Sequence, residues 1–126
     1  MPAIEGHKVR NFFCETIATW LLVLVILVFG LDSNVPTLDA KGYHLHIGMG
    51  ELGAIPVTCL IMAIGMSLGG TTGYAINPAR DLAPRLAHAI LPIKGKGESG
   101  WAYSWVPVAG PMAGAVLAAL TYMVLF

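Results

Sequence analysis

Apolar positions in this chain collect into long unbroken blocks and show no alternation. From about residue 12 to 31 the run is interrupted only by Glu15, Thr16 and Thr19. A second block covers about 45 to 68 and carries Glu51, and a third covers about 103 to 126 with no charge. A helix crosses the hydrocarbon core with roughly 20 mainly apolar residues, so each block is long enough to span. The pattern predicts an all-α membrane protein with spans at about 12–31, 45–68 and 103–126 in a single unit covering 1–126. Trp101, Tyr103 and Trp105 mark an aromatic belt where the third span meets the headgroups.

The two connections differ. Asp32 to Tyr43, with Pro36 and Gly42, reads as an ordinary polar loop. The segment from Gly69 to Gly100 opens on Gly69-Gly70 and reaches Asn77-Pro78. It then gives a short amphipathic pattern at Leu82, Leu86, Ala89 and Ile90 and ends in Lys94-Gly95-Lys96-Gly97-Glu98. Asn is a favoured N-cap, and Pro at the first helical position loses only an N–H that has no helical partner. These signals predict a half-helix over about 78–90 between two spans, with its positive end at Asn77. Pro84 deprives the Arg80 carbonyl of its usual partner. Irregular backbone at membrane depth survives only inside protein or along a wet cavity, so Gly69 to Ala75 is expected to line one.

Composition sharpens this picture. Hydrophobic residues make up 56% and charged residues 11%, against about a quarter charged in soluble domains. Mean hydropathy is +0.73. The formal net charge is zero, which removes nucleic acid as a partner because phosphate binding needs a basic surplus. Cys14 and Cys59 sit in apolar runs and read as buried small hydrophobes with no metal spacing. The first apolar run is too long for a signal peptide and reads as a retained span. Small residues recur at Gly65, Gly69 and Gly73, and at Gly110, Gly114 and Ala118, a spacing that lets helices approach closely. For Gly110 and Gly114 plain packing is the preferred reading.

Taken together, Asn77-Pro78-Ala79 followed by Arg80, the preceding Gly-rich stretch, Glu15 in the first span and Gly110-Pro111 in the last resemble the major intrinsic protein family of aquaporins and glycerol facilitators. The resemblance covers the chain from about Asn11 onward, and it is to the C-terminal one of two inverted repeats. It implies half of an aquaporin-like fold: three transmembrane helices plus one re-entrant half-helix. Asp81 and Arg85, with Pro107 and Val108 in the last span, resemble the glycerol-conducting branch.

The resemblance assigns a selectivity filter to Gly65, Tyr74 and Arg80, with Arg80 donors on one wall and the Tyr74 ring, in the space left by Gly65, on the other. The carbonyls of Gly73, Tyr74 and Ala75 form an acceptor ladder, and Asn77 offers its amide at the midpoint. Glu15 accepts N–H groups of the re-entrant loop; a protonated or headgroup-level carboxyl is the alternative. For Asp81, simple stabilisation at a helix N-terminus competes evenly with a subtype role.

The implied function is passive passage of glycerol, small neutral solutes and water. The alternatives are a mainly water-selective channel and a non-conducting fragment that only assembles with other channel halves. No catalytic set or phosphate loop is present, and neither a metal nor a cofactor is implied. Implied partners are membrane lipid, a second channel half (an N-terminal repeat or another copy) and a homo-oligomer, tetrameric by family resemblance, in the bacterial plasma membrane. Glu51 is interfacial, His44 and His46 lack a third zinc ligand, and His88 reads as packing or vestibule. The basic residues place the N-terminus in the cytoplasm, opposite to the family pose of this repeat.

Overall fold

The computed structural model describes residues 7–30 and 53–126. The Asp32–Tyr43 loop, Glu51, His44, His46 and the first part of the second block lie outside the described residues. Helix α1 runs Lys8–Phe29, α2 Ala54–Thr72, α3 Pro78–Ile90 and α4 Trp105–Leu125, with a 3-10 turn at Trp101–Tyr103 ahead of α4. Three segments, Lys8–Phe29, Ala54–Thr72 and Trp101–Leu125, are long and apolar enough to cross a membrane. The protein is an all-α integral membrane protein.

Several boundaries differ from the sequence reading. The second helix continues through Gly69 and Gly70 to Thr72, where irregular backbone was expected from Gly69 onward. Glycine weakens a helix by only about 1 kcal/mol, which flanking apolar residues offset. The helix stops at Gly73, which takes the left-handed conformation at φ 75 and returns its N–H to the Gly69 carbonyl. Tyr103 is buried, unlike the exposed Trp101 and Trp105, and so leaves the expected aromatic belt. Cys59 is exposed on α2 instead of buried.

Helix α1 is polar where it is buried and apolar where it is exposed. Asn11, Glu15, Thr16 and Thr19 are buried, while Val9, Phe13, Ile17 and Ile26 are exposed. That inversion suits a helix whose outer solvent is lipid and whose polar groups turn inward to the bundle. Small residues on α4 receive this face. A Cβ on Gly110 would stand 2.8 Å from the Glu15 Cβ, and one on Gly114 would stand 2.4 Å from the Thr16 carbonyl oxygen and 2.9 Å from the Trp20 nitrogen. The two backbones approach so closely that no side chain fits between them. Thr16 returns its hydroxyl to the Phe12 carbonyl, and Trp20 donates its indole N–H to Thr121 Oγ1 at 3.1 Å.

Ala substitution separates tight from open glycines. Gly114→Ala forces α1 and α4 apart and is expected to lower stability by about 1–3 kcal/mol, an overpacking cost. Gly70, with open space beyond its α-carbon, should accept Ala without loss. Denaturant titration of the chain in detergent, followed by helical circular dichroism, checks the difference; equal stability of the two variants contradicts the packing described.

Candidate functional site

The site is built on Gly73–Asn77, the link between α2 and α3. Every peptide bond among the described residues is trans, yet Tyr74 and Ile76 hold positive φ, at 44 and 42. The irregular backbone expected from the sequence is present here, kinked left-handed at both residues. Such a conformation costs of order 1–3 kcal/mol per residue, and a β-branched Ile is among the least tolerant. Something must hold it.

Glu15 does so from α1. Its Oε1 accepts the Ala75 N–H at 3.0 Å and its Oε2 accepts the Ile76 N–H at 2.7 Å. The residue is 1% exposed, so this carboxylate has no access to bulk water. Charge-assisted bonds of this kind contribute about 1.5–3 kcal/mol each, enough to offset the local strain. Successive N–H groups aimed at one anion form the concavity that alternating backbone conformations produce. The Tyr74 N–H is held separately by Thr72 Oγ1 at 3.2 Å.

Carbonyl directions follow from peptide planarity. In a trans peptide the C=O points opposite to the N–H that shares its plane. With the N–H groups of Ala75 and Ile76 turned to Glu15, the carbonyls of Tyr74 and Ala75 point away from it. The Gly73 carbonyl likewise points away from Thr72 Oγ1. A buried anion therefore presents a short row of acceptors on the face opposite to itself.

Donors stand beside that row. Asn77 is extended at φ −159 and caps α3, its Oδ1 accepting the Ala79 N–H at 2.9 Å, with Pro78 in the first helical position. Its NH2 group remains as a donor on an exposed residue. Arg80 is exposed and donates from Nη1 to the Tyr74 carbonyl at 3.4 Å, with its Cζ 4.8 Å from the Tyr74 ring centroid. The guanidinium thus lies on the face of the ring, where the sequence reading put the two on opposite walls. A cation over a π face gains about 0.5–1 kcal/mol at an exposed site, which favours this pose. Gly65 and Gly69 both lie against the ring of Tyr74, so among the described residues their spacing serves that ring.

The far side of α3 is strapped to the segment ahead of the 3-10 turn that leads into α4. Arg85 donates to Asp81 through Nε at 2.8 Å and Nη2 at 2.7 Å, and its Nη1 donates to the carbonyls of Ser99 and Gly100 at 2.7 Å each. His88 Nδ1 shares a hydrogen bond with Ser99 Oγ at 2.9 Å. Lys96 donates to the carbonyls of His88, Ala89 and Leu91, closing the C-terminal end of α3. Pro107 is buried in the first turn of α4 and Val108 beside it is half-buried. Neither the Arg85 contacts with backbone carbonyls nor the capping by Lys96 was read from sequence; basic residues five positions before and six positions after the helix end at Ile90 were the available signal.

A sequence profile described as Major intrinsic protein matches residues 3–122. Glycerol uptake facilitator protein 3 of Lactiplantibacillus plantarum is 54% identical over 115 residues, which cover 91% of this chain and 42% of that protein. Glycerol uptake facilitator proteins of Streptococcus pneumoniae and Bacillus subtilis are 47% and 48% identical over 121 and 125 residues, covering 96% and 99% of this chain and 45% and 40% of their own lengths. This chain thus spans under half the length of these curated relatives, whose names are those of uptake facilitators and not of enzymes. No solved structure matches it. With a family profile matched along nearly its whole length, the chain belongs to the major intrinsic protein family.

Proposed function

We propose that the chain forms one side of a passive transmembrane pore for glycerol, small neutral solutes and water. In this reading α1, α2 and α4 are the spans and α3 is a re-entrant half-helix. The observation that carries it is the buried Glu15 carboxylate holding the Ala75 and Ile76 N–H groups, which turns a row of carbonyls to the opposite face.

The chemistry of permeation fits this arrangement. A polyol leaving water loses hydrogen bonds at a cost of a few kcal/mol per unpaired hydroxyl. The carbonyls of Gly73, Tyr74 and Ala75 accept from its hydroxyls, and Asn77 and Arg80 donate to them. The edge of the Tyr74 ring, left between α2 and the Arg80 guanidinium, gives the polyol's carbon side an apolar surface. Cations and protons meet the fixed charge of Arg80 and the positive end of α3.

Exposed Arg80 and Asn77 cannot rest against lipid, so a second channel half, an N-terminal repeat or another copy, covers this face in the complete pore. The three bacterial relatives described above, each named as a glycerol uptake facilitator, support glycerol as the permeant and the bacterial plasma membrane as the location. A tetramer of complete pores is the assembly that the family suggests.

Osmotic swelling of vesicles holding the chain with a complementary N-terminal half tests this directly. Glycerol and water flux above the lipid background is the expected result; water flux without glycerol favours a water-selective pore, and neither flux from correctly folded protein refutes conduction. Arg80→Ala is expected to widen and depolarise the constriction, raising leak of larger solutes and cations; unchanged glycerol, water and ion fluxes contradict the assignment. Glu15→Gln offers one oxygen to two N–H groups and turns a donor on the other. It should cost about 1–3 kcal/mol and reduce glycerol flux; wild-type stability and flux in this variant remove the pinning role.

A further inference from the structure

Tyr74 is confined on several sides. Its N–H is tied to Thr72, and the next two N–H groups are tied to Glu15, so its backbone cannot slide. Its ring lies along α2, where a Cβ on Gly65 would meet the ring tip at 3.2 Å (Cζ) and 3.3 Å (Cε1 and Cε2). A Cβ on Gly69, one turn on, would meet Cδ1 at 2.6 Å, closer than real Cβ atoms come. Over the ring lies the Arg80 guanidinium, 4.8 Å from the centroid. The ring is held between α2 and a cation.

We infer that Gly69 is a second size-setting position of the constriction, acting through the Tyr74 ring on the position of Arg80 and so on the passage of a three-carbon polyol. The inference rests on the pore reading above. Gly65 marks where the ring tip rests, but Gly69 has the smaller clearance and meets the ring near its root. The atom struck there is not the free end of a flexible side chain. With the backbone tied, the ring relieves the contact by moving off α2 by about an ångström, to ordinary van der Waals distance. That motion goes toward the guanidinium and takes Arg80 with it. Gly69 is thus a positioning residue: it touches no permeant and acts by what it leaves vacant.

Gly69→Ala, with Gly70→Ala as its neighbour on the same helix, tests this in vesicles holding the chain and a complementary N-terminal half. Gly70 has nothing within 4 Å of a Cβ and controls for adding a methyl to α2. Gly69→Ala is expected to lower the glycerol-to-water permeability ratio by about tenfold, the scale of one misplaced methylene in a fitted site. Gly70→Ala should leave the ratio unchanged. In a Tyr74→Ala background the effect of Gly69→Ala should vanish, because the ring that transmits it is gone. A ratio that falls equally in both backgrounds, or that does not fall at all, overturns the inference. Solid-state NMR of the chain in bilayers, measuring Tyr74 ring carbons and Arg80 Cζ each against the Gly65 Cα of α2, reads the displacement without any flux. Unchanged distances from α2 in Gly69→Ala overturn the inference even if no conduction is found, whereas absent wild-type flux alone refutes the pore reading.

Discussion

One buried carboxylate meeting two backbone N–H groups sets the conditions for the rest of the structure. Glu15 is removed from water, and an ion in that setting is tolerable only when its oxygens are fully engaged. Ala75 and Ile76 engage them, and in doing so accept left-handed backbone around them that neither Tyr74 nor Ile76 favours. The strain and the buried charge are thus mutually dependent. Taking away either one leaves the other without compensation. The Tyr74 and Ala75 carbonyls opposite Glu15 are aimed as a geometric consequence of peptide planarity, and Thr72 aims the Gly73 carbonyl in the same way.

The surrounding helices serve that contact. Gly110 leaves room at the Glu15 Cβ and Gly114 at the Thr16 carbonyl, so α4 lies directly on the polar face of α1 and walls off the carboxylate. On its other flank the half-helix is tied down by Arg85, bridging Asp81 to the Ser99 and Gly100 carbonyls, and by Lys96 at its C-terminal end. Helix α3 is thus fixed at its start by a cap and a distant anion, and at its end by cations on terminal carbonyls, the arrangement its dipole favours. What stays exposed is the group that faces the proposed passage: Asn77 and Arg80.

Much of this was legible in the sequence, and the parts that were not share a cause. Asn77-Pro78 announces a helix start by local chemistry, and α3 begins at Pro78. The apolar blocks announce spans by length alone. The left-handed conformations of Tyr74 and Ile76 have no local signal, because a partner 60 residues away imposes them. The role of Gly69 was hidden for a similar reason: small-residue spacing on a helix suggests a neighbouring helix, and here the occupant is an aromatic ring from the turn that follows. Tyr103 looked like an interface residue because tyrosine is common there, but a 3-10 turn directs it inward. Arg80 settled on the Tyr74 ring instead of across from it, since residue spacing does not encode which way a long side chain folds back.

The central claim is that the Glu15 carboxylate, at membrane depth, holds the backbone of Ala75 and Ile76. The most direct measurement is carbon–nitrogen dipolar recoupling by solid-state NMR in lipid bilayers, with Glu15 labelled at its carboxyl carbon and Ala75 and Ile76 at their amide nitrogens. Bonds of the lengths seen here place both nitrogens within about 4 Å of that carbon, so strong dephasing at both sites is the predicted result. Absence of dephasing at both amides, in protein that is folded and inserted, contradicts the account.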